Sequence, residues 1–232
     1  MKTEVDNLVE ISRFRNVTNI FEDRKHAGIV LSEMLSSYKN TDAIIFGIPA
    51  GGAPVAAAMS NKLNLRLDFA IVSKITLPWN TEAGYGAVAF DGSVLLNNNI
   101  VSEIGLSEGD VEEGIKKATN KVQMRLKKLR GDKPFPDTQN ITSILVDDGI
   151  ASGFTMLTAI NALKRIGSKD IIVAVPTAHL KSLELISPEV QKIYCANVRD
   201  GWGFAVASAY KNWRDVDELE LNQLIIPDQD IE

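Results

Sequence analysis

The sequence is poor in the residues that most often advertise a function. In 232 residues there are one cysteine, two histidines and an aromatic content of only 6%. A single thiol, Cys195, closes no disulfide within the chain and suits a reducing compartment. It lies in an apolar run with Ile193, Tyr194 and Ala196, so a buried, inert thiol is expected. His26 and His179 are too few and too far apart for a zinc centre. No run approaches the ~18 consecutive apolar residues that span a bilayer. The opening residues, Met1 to Asp6, lack the apolar segment of an export signal, so a soluble, cytoplasmic chain is expected, with no membrane partner. Basic charge is scarce too: 25 Lys and Arg against 30 Asp and Glu leave a net charge of −5, which argues against a nucleic-acid partner. Any anionic ligand must be held by local amides, a few cations and metal rather than by the overall field. No Gly-Lys-Ser/Thr ending is present, which excludes a Walker-type NTPase. The glycines of residues 84–89 match a dinucleotide fingerprint only superficially, having neither a strand before them nor a helix after.

What is present reads as one α/β domain over residues 1–232. Hydrophobic residues make up 45%, enough for a core. Residues 23–38 have helical spacing, with Ala27, Val30, Leu31, Met34 and Leu35 on one face. Residues 43–48 read as a buried strand, 54–63 as an Ala-rich helix and 67–72 as the next strand, ending near Lys74. Residues 78–99 look irregular, except for a hairpin whose turn signal is Asp91-Gly92. Ser107 and Asp110 resemble an acidic capping box opening a long charged helix, which Gly131 closes. Strands over 141–146, 171–175 and 193–198, a helix over 154–165 and a short acidic C-terminal helix complete the pattern.

The most informative segment runs from Ile144 to Thr155. An apolar run ends in two adjacent carboxylates, Asp147 and Asp148. Gly149, Ile150, Ala151, Ser152 and Gly153 follow, and a helical pattern opens at Phe154 and Thr155. A strand thus delivers two acceptors suited to a pair of vicinal hydroxyls. The small-residue loop then offers backbone N–H groups at a helix N-terminus, where a phosphate is favourably held. A diol at one end and a phosphate at the other describes a ribose 5-phosphate. Taken alone, an Asp pair followed by Gly is more often a capped turn. Its place at the carboxyl end of a strand, where open α/β sheets bind ligands, shifts the balance.

This segment resembles the phosphoribosyl-diphosphate (PRPP) signature of type I phosphoribosyltransferases. Gly149 stands where many members carry an aliphatic residue, and Ser152 where Thr is commoner. The resemblance covers about Phe21 to Trp213. It implies a mostly parallel central sheet flanked by helices, a small hood formed by 196–232 with N-terminal residues, and a mobile catalytic loop near residues 76–86. A second glycine turn after a strand, Ala50, Gly51 and Gly52, fits the family's pyrophosphate loop. Ala50 stands where relatives often carry Arg, so metal-bound pyrophosphate contacts or Lys74 would have to supply the missing charge, and Lys74 is the candidate pyrophosphate residue. Arg24 is a weaker candidate, a solvated helix start being at least as good a reading. Trp202 and Phe204 are candidates for stacking on a base, packing of the tail being the even alternative, and Trp213 is expected in the core. The implied reaction is Mg²⁺-assisted transfer of ribose 5-phosphate from PRPP to a nitrogenous base by a homodimer. Asp147, Asp148 and Lys74 would be catalytic, and magnesium would be held through PRPP and by Asp147 or Asp148. Purine bases are mildly favoured by the aromatic candidates. A PRPP- or nucleotide-sensing module without catalysis is the alternative. A phosphatase using Asp147 as nucleophile fits less well, because such enzymes usually space the two carboxylates by one residue.

Overall fold

The computed structural model describes residues 5–224. The chain runs β1 (Leu8–Glu10), α1 (Arg24–Met34), β2 (Ile44–Gly47), α2 (Gly52–Leu63), β3 (Arg66–Phe69), β4 (Val72–Leu77), β5 (Asn80–Ala89) and β6 (Val94–Leu96). It continues through α3 (Asn98–Glu103), α4 (Glu108–Arg130), β7 (Ser143–Val146), α5 (Phe154–Arg165), β8 (Ile171–His179), α6 (Leu180–Ile186), β9 (Lys192–Arg199) and α7 (Glu218–Gln223). Six strands form a parallel sheet in the order β1-β9-β8-β7-β2-β3, and β4, β5 and β6 form a separate antiparallel sheet. The fold is α/β with a mostly parallel central sheet.

The apolar strands are buried on both faces, as parallel strands covered by helices must be. Alternate side chains divide between two layers. Ile45, Ile144, Val146, Ile172 and Ala174 face α1 and α2. Ile44, Phe46, Leu145, Val173 and Val175 face α5, α6 and the antiparallel sheet. The two helices of the first layer approach closely at Gly28, where a Cβ would stand 2.5 Å from the Val55 carbonyl oxygen.

Several ends are fixed by local chemistry visible in the sequence. Asp23 caps α1 by accepting the His26 N–H at 2.8 Å. Ser107 and Asp110 close a reciprocal capping box at the start of α4, and Gly131 ends that helix with φ +60°. Gly92 turns the β5–β6 hairpin with φ +82°.

Other expectations are corrected. The strand foreseen over 67–72 is two strands, because the chain leaves the central sheet after Phe69 and enters the antiparallel one at Val72. Residues 76–86, expected as an irregular loop, are mostly the paired arms of β4 and β5, with register shifts on either side of Thr76. Alternation of small and polar residues there hid a strand. β1, α3 and α6 are too short to register as periodic patterns. Residues 1–4, which bear on the expected absence of an export signal, and 225–232 of the expected hood lie outside the described residues.

Candidate active site

The strand order reverses its sense between β2 and β7. From β2 the chain proceeds outward to β3, and from β7 it proceeds the other way through β8 to β9. In open α/β sheets the loops at such a switch point diverge and leave a crevice for a ligand. Gly47 and Val146 pair in register at the carboxyl ends of these two strands. The two glycine-rich segments singled out in the sequence therefore emerge side by side.

They touch. A Cβ on Gly51 would lie 2.5 Å from Asp148 Cγ, and one on Gly52 would lie 2.7 Å from Asp147 Cα. Gly51 has φ −63° and ψ −37°, a conformation any residue adopts. Glycine is needed there for close approach rather than for backbone freedom. The Ile48 N–H donates to the Val146 carbonyl at 2.8 Å and prolongs the β2–β7 pairing into the crevice. The Pro49–Ala50 peptide is cis.

The acidic pair is largely withdrawn from water. Asp148 accepts a hydrogen bond from its buried partner Arg24: Nε to Oδ2 is 2.8 Å, with side-chain exposures of 10% and 14%. At such burial the pair is little screened, and removing one partner of a buried pair typically costs about 3–5 kcal/mol. The Arg24 fork reaches a second acceptor, the Arg214 carbonyl, at 2.7 Å from Nη1. Its guanidinium lies 4.0 Å from the centre of the Trp213 ring. Tyr210 donates its hydroxyl to the Asp148 carbonyl at 2.6 Å. Burial, with the neighbouring Asp148 charge, pushes the Asp147 carboxyl well above the usual range. Burial raises Asp148 too, and the Arg24 charge opposes that rise.

Beyond the pair, Ile150 is bonded on both sides to β8, its N–H to the Thr177 carbonyl and its carbonyl to the His179 N–H. Ser182 of α6 donates to the Ala151 carbonyl. Gly153 takes φ +85° at the N-cap of α5, a left-handed conformation that glycine adopts without penalty. The N–H groups of Ala151, Ser152, Gly153, Phe154 and Thr155 find no acceptor among the described residues. Bare amides at a helix N-terminus favour an anion. Gly149 also has a concrete reason to be glycine: a Cβ there would meet Val206 Cγ1 at 2.6 Å. Val206 fills the space that an aliphatic residue at 149 would occupy.

The structure thus brings Gly51, Gly52, Asp147, Asp148 and the 149–155 loop to one crevice, with Ala50 half-buried beside them. Lys74 is placed differently from the expectation. It sits within β4, opposite Ala87 in the antiparallel sheet, and its aliphatic stem lies over Gly84. Trp202 is fully exposed, and Phe204 packs edge-on to His179 with ring centres 5.8 Å apart. Trp213 is 39% exposed and covers Arg24 rather than entering the core. Arg24 is buried, not a solvated helix start. Sequence reasoning gave Arg24 little weight and gave Tyr210 and Val206 no role at the pair. Their partners stand 124, 62 and 57 positions away, and no local pattern encodes such contacts. Cys195 is buried as expected, its thiol held neutral by burial.

Comparison with known proteins agrees with this geometry. A family model described as phosphoribosyl transferase domain matches residues 90–209, just over half of the chain. The chain belongs to the phosphoribosyltransferase family. Among curated relatives, a Mycobacterium tuberculosis protein provisionally named as a phosphoribosyl transferase is 28% identical over 203 residues, 87% of this chain and 45% of the relative. This phosphoribosyltransferase-family chain therefore spans less than half the length of that relative. A uracil phosphoribosyltransferase of Acinetobacter baylyi is 37% identical over 73 residues, 30% of this chain and 34% of that protein. The solved structure of TT1426 from Thermus thermophilus superposes with a TM-score of 0.70 at 26% identity. The match covers 88% of this chain and 97% of that one.

Proposed function

We propose that the crevice between β2 and β7 binds PRPP and transfers its ribose 5-phosphate to a nitrogenous base, releasing pyrophosphate. One observation carries the reading: two glycine segments, one bearing an acidic pair, meet in contact at the switch point of a parallel sheet. Asp147 and Asp148 would accept the ribose hydroxyls and favour positive charge developing on the ring. The amides of residues 149–155 would hold the 5-phosphate at the start of α5. The turn at Ala50, Gly51 and Gly52 would lie along the pyrophosphate, and Lys74 would reach it only if the β4–β5 hairpin bends over the crevice. Catalysis would then rest on positioning and charge stabilisation rather than on a covalent protein group.

The donor set suits magnesium in a particular way. Asp147 and Asp148 offer hard oxygen ligands, while no group of three or more His, Cys, Asp or Glu among the described residues could hold a metal. Magnesium would therefore take most of its ligands from diphosphate and water, with one carboxylate of the pair completing the set. When bound there it would neutralise charge on the departing pyrophosphate.

A purine is the proposed acceptor, with Trp202 and Phe204 as stacking candidates on a hood formed by 196–232 and N-terminal residues. Backbone bonds from Asn19, Ile20 and Phe21 to the 208–209 carbonyls, and from Lys211 and Asn212 back to the 21–22 carbonyls, support that pairing of chain segments. A single domain, a homodimer and a cytoplasmic setting belong to the same proposal.

The test is titration of the chain with PRPP and Mg²⁺, followed by pyrophosphate release with a panel of bases. Asp148→Asn should remain folded and lose at least ~10-fold in PRPP affinity, since each charge-assisted hydrogen bond contributes about 1.5–3 kcal/mol. Wild-type turnover in that variant would refute the assignment. PRPP binding with no turnover on any base would favour a sensor, a reading to which the missing cation at Ala50 lends weight.

A further inference from the structure

We infer that Arg24 is the positioning residue of the acidic pair, and that the segment 210–214 locks it in place. The inference rests on the ribose-binding role proposed for Asp148.

Three observations converge on it. The Asp148 carboxylate is hemmed in at Oδ2: Gly51 lies close enough that a single methyl would overlap it, and the Arg24 guanidinium bonds the same oxygen. Arg24 does not reach Asp148 as a loose chain. Nε takes the carboxylate while Nη1 takes the Arg214 carbonyl, so the planar fork is fixed at two points. The Trp213 ring covers the guanidinium at 4.0 Å and fixes its plane. Tyr210 holds the Asp148 backbone carbonyl through its hydroxyl and packs against Trp213, ring centres 5.2 Å apart. One short segment thus grips both the main chain of Asp148 and the cation that orients its side chain.

The consequence is directional. With Oδ2 committed to Arg24, the orientation in which Asp148 meets a diol is set by residues on α1 and near the C-terminus. Lysine cannot replace Arg24, because a point charge has no planar fork to serve two acceptors and stack on an indole.

The experiment measures PRPP KM and kcat for Arg24→Gln, Arg24→Lys, Trp213→Leu and Trp213→Phe, with the folded fraction of each determined by circular dichroism. Arg24→Gln should raise the KM for PRPP by about 10- to 100-fold, the equivalent of one charge-assisted hydrogen bond. Arg24→Lys should recover little of it. Trp213→Leu should raise KM by about 2- to 10-fold and Trp213→Phe should largely restore it, as loss and return of a cation–π contact require. The double variant Arg24→Gln with Trp213→Leu should be no worse than Arg24→Gln alone, because the ring acts through the guanidinium. A merely structural role would lower the folded fraction and the apparent kcat at unchanged KM, and that pattern overturns the inference. Full rescue by lysine overturns it as well. A wild-type chain that neither binds nor turns over PRPP would overturn the underlying function, and the positioning role with it. Normal wild-type turnover beside an unaffected Arg24→Gln removes the positioning role alone.

Discussion

Replacing Gly51 by alanine separates two effects that usually travel together. The residue sits at the N-cap of α2 with right-handed helical angles, so alanine meets no backbone penalty. At an indifferent site the change would be expected to stabilise by about 0.4–1 kcal/mol, through the lower entropy of the unfolded chain. Here the added methyl would stand 2.5 Å from Asp148 Cγ. The carboxylate cannot swing away cheaply, since Arg24 holds Oδ2 and is itself fixed by Arg214 and Trp213. Overpacking of this kind costs about 1–3 kcal/mol. If Asp148 yields by abandoning Arg24, the loss of a charge-assisted hydrogen bond is of similar size, about 1.5–3 kcal/mol. Against the small entropic gain the net is a destabilisation of about 1–2 kcal/mol. In a chain of this length that lowers Tm by roughly 2–8 °C. PRPP affinity should fall by at least ~10-fold, because either relief moves the carboxylate. Scanning calorimetry and PRPP titration read the two quantities separately. A Gly51→Ala protein that is as stable as wild type and binds PRPP normally would refute the claim that the two loops meet at this position.

Three further outcomes follow from the same geometry. Gly149→Ala should destabilise by about 1–3 kcal/mol through its clash with Val206, and adding Val206→Ala should recover most of the loss; strictly additive denaturation midpoints would show that the two sites do not share the space. Asp147 is held above its usual range, so the fold favours its neutral form; that contribution is complete below an unfolded value near ~3.9 and is lost as pH rises through the folded value. The wild-type Tm should therefore fall more steeply than that of Asp147→Asn as pH rises above about 4, and parallel curves would contradict the assigned burial. Cys195 should resist an aromatic disulfide reagent in the native chain and react fully after unfolding, a burial that rapid native labelling would disprove.

The crevice was more legible in the sequence than its surroundings. Residues 144–155 carry their structure locally: an apolar strand, two carboxylates, small residues and a helical period follow one another without interruption. Gly51 and Gly52 were visible for the same reason. What stayed hidden depends on chain crossing. Lys74 follows a strand closely in sequence, yet the break after Phe69 carries it into a second sheet, and no composition signal marks where a chain changes sheets. The hairpin arm was legible from Tyr85 onward, but the first half of β5 was masked because residues 80–84 read as loop. Gly84 is small because the Lys74 stem lies over it, and Gly86 because a Cβ would stand 2.6 Å from the Leu95 carbonyl oxygen. Trp213 looked like a core residue by its type alone, but its ring lies over the buried Arg24 guanidinium and stays partly exposed.

The placement of Arg24 also explains why the two ends of the chain must meet for the crevice to carry a cation. Two adjacent carboxylates at the end of a buried strand repel each other and lose hydration, so neither is readily charged without a nearby cation. The two glycine loops cannot supply one, since they contribute small side chains and backbone. The cation comes instead from the first turn of α1, delivered by the cap at Asp23, and is held there by a segment almost two hundred residues later. Parallel pairing of β1 with β9 and the bridge between Phe21 and Tyr210 bring those ends together. Sheet topology thus sets the crevice, while the chain ends set the charge within it. A fold that kept the central strands but lost either end would keep the shape of the crevice and lose the cation that faces Asp148.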